Sequence, residues 1–436
     1  MMRTQTLILY LIFSVLWGQT LPHNLTDTER LQLDQIGMNR QVTDPPDYIQ
    51  FAPAEFDSLS GIIFSWRGFP TLLTQLIKEV AEEDTAWVIV NGSTEATTVS
   101  ATLTSNGVNM NNIAFESLPS NTVWIRDYGP WWIYDELGDL AVIDLVYNRP
   151  RPLDDAIPEA FAGLYNVDFF GTDLTQAGGN MLLDGKGVVI VSDIIFDGSE
   201  GFDPTLTQTE LEETMLNYFG VHKVIVVSHM ELDGTGHVDM FVKIINDTTI
   251  IVGEYTSAST GAGNNYAITN SVASQLAAET NGAGRPFTIE RMLMPPYSGG
   301  ITYTYINSLI VNKKIFVPVY GFSTDQQVLD QYEAIAPGYE AIGFDCNDII
   351  TSNGAIHCIA IKVPAKGVVV PICSDWISGD VNKDGMVDIF DVFLIADQAT
   401  SGESRGLCFD KIADINADNE ITIYDVALLV VDIMRP

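Results

Sequence analysis

Residues 181–227 read MLLDGKGVVIVSDIIFDGSEGFDPTLTQTELEETMLNYFGVHKVIVV, and the order of their patterns predicts the basic unit of the fold. Its short apolar segments 181–183 and 188–191 lie on either side of an Asp-Gly pair, which is typical of a tight hairpin turn. Residues 206–218 have helical spacing, and residues 223–227 form a run of Val and Ile that favours a buried strand. The stretch therefore predicts a unit in the order strand, strand, helix, strand.

The same order recurs elsewhere in the chain. Units that cannot bury their apolar faces alone stack around a common centre, where loops that are far apart in sequence meet. The alternative is an ordinary α/β sandwich whose regularity is a coincidence, and we favour the repeat. Further copies are predicted at residues 61–65, 71–82 and 86–90; at 238–245, 249–252, 266–279 and 287–292; and at 308–311, 315–319, 325–336 and 340–344.

Four polar strings interrupt otherwise apolar stretches, each at or just before the start of a strand. They contain a cysteine, histidines and carboxylates, which are residue types that take part in catalysis. His237 and Asp239 are two residues apart, so on a strand their side chains would point to the same face. The strings are WIRDYGPWW from residue 124, GGN from 178, GHVDMF from 236 and NGAIHC from 353.

A cysteine, a histidine and two aspartates together suit the hydrolysis of a guanidinium group. The thiolate attacks the central carbon, the histidine exchanges protons near neutral pH, and each carboxylate accepts paired hydrogen bonds from the planar cation. A cysteine protease, by contrast, needs only one acid or amide to orient its histidine. A zinc site built from His237, Asp239 and Cys358 is the other alternative, although the chain has no tight ligand pair such as Cys-x-x-Cys.

The four strings, in this order and at these distances, resemble the Porphyromonas-type peptidylarginine deiminase and agmatine deiminase family over about residues 50–370. The resemblance implies a pentein fold, an α/β propeller of five ββαβ units, and a reaction that uses neither a metal nor an organic cofactor. It implies that Cys358 is the nucleophile, that His237 is the general acid and base, and that Asp127 and Asp239 hold the guanidinium. Residues expected to bind the substrate are Trp124, Arg149, Arg151, Asn180 and Asn307.

The choice of substrate depends on Arg149 and Arg151, which lie on a Pro-stiffened segment. Two arginines there could fork onto a carboxylate, whereas the alternative is a pair of solvated side chains. The segment resembles that of secreted peptidylarginine deiminases, which implies peptides or proteins ending in arginine as substrates. Residues 233–236 instead resemble agmatine deiminases, while Ala177 departs from them, so agmatine or another small guanidine stays open. A non-catalytic scaffold protein is the alternative of another class.

A second, smaller unit is predicted at the C-terminus, over residues 377–436. Residues 380–391 read DVNKDGMVDIFD, a calcium loop of EF-hand type with Gly385 at the sharp turn, and residues 414–425 repeat its spacing with Asn419 in the glycine place. The duplicated loop and helix resemble a type I dockerin. This implies an all-α module with two structural Ca²⁺ sites and a cohesin partner, or alternatively a tail that docks on its own enzyme domain. The predicted ligands are Asp380, Asn382, Asp384, Met386, Asp388 and Asp391, and then Asp414, Asn416, Asp418, Glu420, Thr422 and Asp425.

The beginning of the chain indicates export. Arg3 precedes an apolar run at residues 7–17, which is shorter than the roughly 20 residues of a spanning helix. Residues 1–20 are therefore predicted to be a signal peptide, and the protein to be secreted. A polar segment at 21–50 leads into the hydrolase domain, predicted at 51–372.

The net charge and the cysteine content give two further expectations, one about binding partners and one about disulfide bonds. Lys and Arg total 21 against 57 Asp and Glu, a net charge of −36, which disfavours nucleic acid and anionic membranes as partners. An exported protein could pair its cysteines. With Cys358 as a free nucleophile, Cys346, Cys373 and Cys408 remain, and a Cys346–Cys373 bridge is one option.

Overall fold

The computed structural model describes residues 21–38, 40–46, 48–49, 51–135, 138–366, 377–382, 385–402, 407–418 and 420–435. The predicted signal peptide at residues 1–20 lies outside these described residues, and so does Cys373. Cys346 is buried and carries a free thiol. The strands form five separate sheets, and helices connect them.

The first sheet contains one helix and one strand more than the predicted unit. Its elements are β1 (Leu59–Ser65), α1 (Pro70–Val80), β2 (Thr85–Ile89), α2 (Ser93–Ser105) and β3 (Ile113–Glu116). Strands β1, β2 and β3 are parallel, and α1 buries a face of leucine, isoleucine and valine side chains. Sequence patterns missed α2 because its only buried side chains are Val99 and Leu103 among many small polar residues.

Each of the other four sheets contains a hairpin, a helix and a third strand. In every one, the hairpin strands are antiparallel and the third strand is parallel to the second, as the predicted unit requires. The helical turn α3 (Ile125–Tyr128) precedes them. The elements are β4 (Trp131–Tyr134), β5 (Leu140–Tyr147), α4 (Pro152–Asp155), α5 (Ile157–Tyr165) and β6 (Asp168–Gln176); β7 (Leu182–Leu183), β8 (Val188–Ser192), α6 (Gln208–Phe219) and β9 (Lys223–Val227); β10 (Val242–Ile244), β11 (Thr249–Glu254), α7 (Asn265–Leu276) and β12 (Thr288–Leu293); and β13 (Leu309–Val311), β14 (Lys314–Val319), α8 (Asp325–Ile335) and β15 (Glu340–Asp345).

The end of the domain closes the first sheet. After the turn α9 (Asn347–Ile350), strand β16 (Ile361–Pro364) pairs antiparallel with β1, so that Ile63 lies opposite Ile361. Strand β16 thereby supplies the hairpin partner that the first sheet otherwise lacks. The result is five ββαβ units, which confirms the predicted fold class.

Each sheet has two buried faces, which explains why its strands are continuous apolar runs rather than alternating ones. In β8, Val189 and Val191 pack with Leu211 and Met215 of helix α6. The alternate residue Ile190 belongs to a core cluster that contains residues from all five sheets. The helix thus covers one face, and the other contributes to the common core.

One predicted strand begins later than the sequence suggested. Residues 238–240 form a short 3₁₀ turn, and β10 begins only at Val242. Gly236, with a φ of 72°, turns the backbone just before it. His237 and Asp239 therefore do not lie on a strand, and the prediction that they share a strand face is wrong.

The C-terminal module contains three helices around a small apolar cluster. They are α10 (Ile389–Ser401), α11 (Leu407–Ala413) and α12 (Ile423–Ile433). Ile395, Ile412 and Leu429, one from each helix, lie buried in the cluster. The helical character of this region agrees with the predicted all-α module. Among the described residues, no helix combines the length and apolar character needed to cross a membrane.

Candidate active site

The four polar strings form four single helical turns, each placed immediately before a strand. These are Ile125–Tyr128 before β4, Gly178–Asn180 before β7, Val238–Met240 before β10 and His357–Ile359 before β16. The first turn contacts the second and the fourth, and the second contacts the third. One equivalent position in four of the five units thus brings residues more than 200 apart in sequence into one site.

Asp127 and Asp239 face each other across Gly179. The Gly179 amide donates to Asp127 Oδ1 at 3.0 Å. A Cβ at Gly179 would lie 2.7 Å from His237 Nδ1 and 3.2 Å from Asp239 Oδ2, so only glycine leaves room for these side chains. Burial raises the pKa of Asp127, but the adjacent His23 and His237 outweigh it and hold that pKa below its usual range. Asp127 is therefore a buried anion.

Cys358 lies fully buried beside Asn307. Its thiol donates to Asn307 Oδ1 at 3.3 Å, and the same oxygen accepts from the His357 amide at 3.1 Å. Burial raises the pKa of Cys358 well above its usual range, and the charges of Asp239 and Asp127 raise it further. In this structure the sulfur of Cys358 is therefore a neutral thiol.

His237 is also neutral and fully buried. Burial lowers its pKa to about 4, against the opposing effect of Asp127. Neither ring nitrogen has a hydrogen-bond partner among the described residues. Unsatisfied buried polar atoms are rare in native proteins, and here they leave a base free to take a proton.

A charged network behind Asp239 was not found from the sequence. His357 Nδ1 lies 2.6 Å from Asp239 Oδ2, and His357 Nε2 lies 2.5 Å from Glu55 Oε2. Glu55 also bonds to Lys243 and, at 3.3 Å, to Arg126. Burial opposes its charge, yet Lys243 and His357 hold the pKa of Glu55 well below its usual range. Charged residues inside apolar runs, such as Lys243 within FVKII, were the available signal.

The network fixes one oxygen of Asp239 and leaves the other free. Asp239 Oδ2 is held by His357, whereas the buried Oδ1 has no hydrogen-bond partner among the described residues. Positioning of a charged group by a further hydrogen-bonded residue is what a preorganised site requires. Asp239 thus presents one buried acceptor to a ligand.

Arg149 and Arg151 are not solvated, because their exposed fractions are only 1% and 2%. Arg151 Nε donates to Glu29 Oε1 at 2.7 Å, and its Nη2 donates to Glu29 Oε2 at 3.3 Å. Arg149 Nη2 lies 3.2 Å from Glu200 Oε2. Each arginine therefore already faces a carboxylate of this chain, and Arg151 does so with two nitrogens.

Trp124 and Asn180 play different parts in the pocket. The Trp124 ring lies flat against the His23 ring, with centroids 4.4 Å apart and an interplanar angle of 16°. Asn180 Oδ1 instead accepts from the amides of Ser192 at 3.0 Å and Val238 at 3.2 Å. Asn180 links two of the site turns, so we interpret it as a positioning residue rather than one that binds substrate.

One group of side chains in the described chain has the spacing of a metal site. Ligand atoms of His23, Asp127 and His237 all lie within 4.8 Å of one another. His23 Nε2 and Asp127 Oδ2, however, are only 2.5 Å apart. Two ligands of a tetrahedral zinc ion, each bonded at about 2.0 Å, would lie about 3.3 Å apart. The direct contact between these atoms is a hydrogen bond and does not fit an ion between them.

The calcium loops of the C-terminal module are closed by their last carboxylates. Asp391 Oδ2 accepts from the Asp388 amide at 2.9 Å, and Asp425 Oδ2 accepts from the Thr422 amide at 2.9 Å. Asp380 Oδ1 is buried without a hydrogen-bond partner among the described residues, which is the kind of oxygen that Ca²⁺ binds. These oxygen ligands fit calcium, while Asp384 and Asn419 lie outside the described residues.

Five ββαβ units with a central cysteine, histidine and carboxylate site are the architecture of pentein deiminases, hydrolases that act on the C–N bonds of amidines. Residues 65–364 match the family model "Porphyromonas-type peptidyl-arginine deiminase", and the chain belongs to this family. Residues 378–433 match the dockerin type I domain. The family and the reaction class predicted from the sequence are therefore confirmed.

Several proteins similar to this chain are named as agmatine deiminases. A relative from Legionella pneumophila strain Paris, provisionally named agmatine deiminase, is 27% identical over 66% of this chain and 85% of its own length. Another from Listeria monocytogenes, provisionally named agmatine deiminase 2, is 26% identical over 58% of this chain and 77% of its own. The solved structure "Agmatine deiminase of Enterococcus faecalis catalyzing its reaction" has a TM-score of 0.66 and 21% identity, covering 74% of this chain and 99% of that one.

Proposed function

We propose that this protein is a secreted deiminase that converts arginine at the C-terminus of peptides into citrulline and ammonia. One observation carries the proposal. The pocket binds two groups at once, the His23 ring on Asp127 and the Glu29 carboxylate on Arg151. A C-terminal arginine presents a cation and a carboxylate together, whereas agmatine has no carboxylate. The predicted signal peptide and the dockerin match support an extracellular setting.

The proposed binding mode follows from the charges of the pocket. Asp127 and the free oxygen of Asp239 hold the guanidinium, and Trp124 packs on the methylene stem of the substrate. Arg151, with Arg149 beside it, binds the carboxylate as it now binds Glu29. A planar guanidinium pairs well with carboxylates in such a desolvated pocket.

Substrate binding itself is proposed to activate the nucleophile. The charges of Asp239 and Asp127 keep the pKa of Cys358 high, and a guanidinium bound between them offsets both charges. His237, which is neutral, then accepts the thiol proton. The thiol is thus inert until the guanidinium lies between the two carboxylates, and this protects it from side reactions in an oxidising exterior.

The reaction then proceeds in two stages. The Cys358 thiolate forms a C–S bond to the guanidinium carbon, and one amino group takes the proton from His237 and leaves as ammonia. This gives a covalent thiouronium. Water loses a proton to His237 and its oxygen bonds to the same carbon. The C–S bond then breaks as the new hydroxyl group gives its proton to the sulfur, so citrulline and the Cys358 thiol are released, and the proton on His237 leaves with ammonia as ammonium. Asp127 and Asp239 stabilise the positive charge throughout.

Removal of the Arg151 side chain should erase the preference for a free carboxylate. We expect the wild type to prefer a peptide ending in arginine over its C-terminal amide by roughly 30- to 1,000-fold, because a charged paired hydrogen bond contributes about 2–4 kcal/mol. In Arg151→Ala this ratio should fall close to one. The measurement is kcat/KM for ammonia release from the acid, the amide and agmatine.

The ratio of the rate on the acid to the rate on the amide is the informative quantity. If Arg151→Ala also opens the pocket, both rates change by the same factor, so a fall in the ratio reports the loss of the carboxylate contact alone. Arg285→Ala, which removes an arginine paired with Asp247 at the surface, is the charge-matched control and should keep the wild-type ratio. Equal rates on acid and amide in the wild type would rule out the carboxylate clamp.

Agmatine is the second candidate substrate, favoured by the names of the relatives and by residues 233–236, which carry no bulky aromatic side chain. It predicts that agmatine is the best of the three substrates and that Arg151→Ala does not lower its kcat/KM. A third outcome, no ammonia from any of them, would favour a non-catalytic scaffold whose working part is the dockerin module.

The C-terminal module is proposed to bind two Ca²⁺ ions and to attach the enzyme to a cohesin. Its loops provide carboxylate, amide and backbone oxygens, which are hard ligands suited to calcium. Large apolar side chains stay exposed where the helices begin: Ile389, Phe390, Ile423 and Tyr424. A matching pair in each of the two repeats supports a protein partner rather than docking on the enzyme domain.

Calcium removal should unfold the module and spare the enzyme. The clustered carboxylates repel one another without the ion, so α10 and α12 should lose protection from hydrogen exchange in a chelator. Deiminase activity of the full chain should stay within about twofold of its value in calcium, since no catalytic step uses the ion. Unchanged protection of residues 377–436, measured by mass spectrometry, would contradict the calcium assignment.

A further inference from the structure

We propose that residues 21–36, called the strap here, act as an internal ligand that occupies the substrate pocket and keeps the enzyme latent until they leave. The inference takes Cys358 as the nucleophile from the proposed function, and its cationic contact, between His23 and Asp127, would block any guanidine substrate. It rests on two contacts that imitate the two ends of an arginine, and on the burial that they produce.

At the cationic end, His23 takes the position proposed for the guanidinium. Its Nε2 lies 2.5 Å from Asp127 Oδ2, and its Nδ1 lies 2.8 Å from the carbonyl oxygen of Asn353. A carbonyl and a charged carboxylate can only accept, so both ring nitrogens must donate for both hydrogen bonds to form. The ring is then a planar cation, and it stacks on Trp124, the residue proposed to pack on the methylene stem of the substrate.

At the anionic end, Glu29 takes the position proposed for the substrate carboxylate. Both of its oxygens bond to Arg151, at 2.7 and 3.3 Å. Its exposed fraction is only 6%, so this pair is well desolvated. His23 and Glu29 lie six residues apart on the strap, and they satisfy the two charged subsites of the pocket simultaneously.

The backbone of the strap is held by the pocket as well. The carbonyls of Pro22 and His23 accept from Arg151 Nη2 at 2.8 Å and Arg149 Nε at 3.1 Å. The Trp124 indole donates to the carbonyl of Leu21 at 2.9 Å. Residues proposed to bind substrate therefore bind the strap with their side chains, and the unpartnered Asp239 Oδ1 stays buried beneath it.

The strap closes the site. Trp124, His237, Asn307 and Cys358 are all fully buried in its presence. A guanidinium cannot reach Asp127 while His23 holds it, because both compete for the same carboxylate oxygen. The closed structure is consequently incompatible with turnover.

The strap is nevertheless held mainly by polar contacts, so it can be released. It contains only two short 3₁₀ turns, Glu29–Leu31 and Leu33–Gln35, and Leu25 is its one fully buried large apolar side chain. Polar contacts therefore hold it, with little apolar burial to resist opening. A ligand with the same two charges can exchange with it, which makes the strap a competitive internal inhibitor.

Weakening the strap should activate the enzyme and expose its thiol. We expect His23→Ala and Glu29→Gln each to raise kcat/KM on agmatine at least about tenfold, because each removes a charge-assisted hydrogen bond from the closed state. The rate of alkylation of Cys358 by iodoacetamide, followed by peptide mass mapping, should rise by a similar factor. Asp27→Asn, which changes an exposed carboxylate on the same strap, is the matched control and should change neither rate.

The two readouts separate this inference from the proposed function. Faster alkylation without any turnover would support the strap and refute the deiminase proposal. If His23→Ala instead loses activity and Cys358 is alkylated no faster, then the strap is a structural part of the site and the inference fails.

A synthetic peptide with the sequence of residues 21–36 provides a second test that needs no refolding. Added to the double variant His23→Ala, Glu29→Gln, it should inhibit competitively and slow the alkylation of Cys358. The same peptide with alanine in place of His23 should do neither. Inhibition that is absent, or that is not competitive with substrate, would overturn the internal-ligand assignment.

Discussion

Replacement of Cys358 by Ser is expected to lower kcat by about 1,000-fold or more, because a hydroxyl does not form a comparable anion at neutral pH. Fold and substrate binding should survive, since the change keeps the shape and the contact with Asn307 Oδ1. The measurement is ammonia release at saturating substrate, together with the thermal unfolding midpoint. The step lost is formation of the C–S bond.

Cys346→Ala is the matched control for the nucleophile. Cys346 is the other buried free thiol among the described residues, and it contacts the backbone near β14 rather than the site. Its variant should keep near wild-type kcat, at some cost in stability from the lost sulfur. More than about a tenth of wild-type activity in Cys358→Ser would exclude the covalent mechanism.

Replacement of Asp127 by Asn should lower kcat/KM by about 100- to 1,000-fold, because the guanidinium loses its buried anion. The same change should speed the alkylation of Cys358. Asp127 raises the pKa of the thiol and holds His23 in the pocket, so its loss lowers that pKa and loosens the strap. Turnover and thiol reactivity are therefore expected to move in opposite directions, which a merely misfolded variant would not show.

Asp193→Asn serves as the control for Asp127, since it removes the carboxylate of another Asp–His pair, the partly exposed contact with His229 at 2.5 Å. Both rates should stay near wild type in that variant. If Asp127→Asn instead keeps its kcat/KM within about threefold of the wild type, then Asp127 is not the guanidinium anchor.

The fold could be predicted because its units repeat local patterns. Hairpin turns and Val- and Ile-rich strands give the same signal in three units. A repeated structural unit explains this better than coincidental regularity in an ordinary α/β sandwich. The unit of β4 to β6 was missed because Trp131 and Trp132 fall inside one of the polar strings, which drew attention to its chemistry. Closure by β16 also has no local signal, since β1 lies 300 residues away.

The site could be predicted only in part. Cys358, His237, Asp127 and Asp239 stand in distinctive strings, and the structure brings them together. Glu55 and His357 meet only through the tertiary fold, so no spacing in the sequence joins them.

The role of the strap could not be predicted from the sequence for the same reason. His23 and Glu29 lie in a segment that the sequence describes only as polar, because the contacts that give them meaning are with Asp127 and Arg151, more than 100 residues later. The paired arginines were singled out from the sequence, and the structure buries both of them. Their carboxylate partners within the chain, Glu29 and Glu200, had no signal of their own.

The central claim, that this chain hydrolyses guanidinium groups through Cys358, is tested most directly by the products of one reaction. The purified full chain, as wild type and as His23→Ala, is mixed with a peptide ending in arginine, and citrulline and ammonia are measured together. The expected result is equal amounts of the two products, released faster by His23→Ala than by the wild type, and none from Cys358→Ser. Absence of both products from wild type and His23→Ala alike, with the peptide and with agmatine, would contradict it.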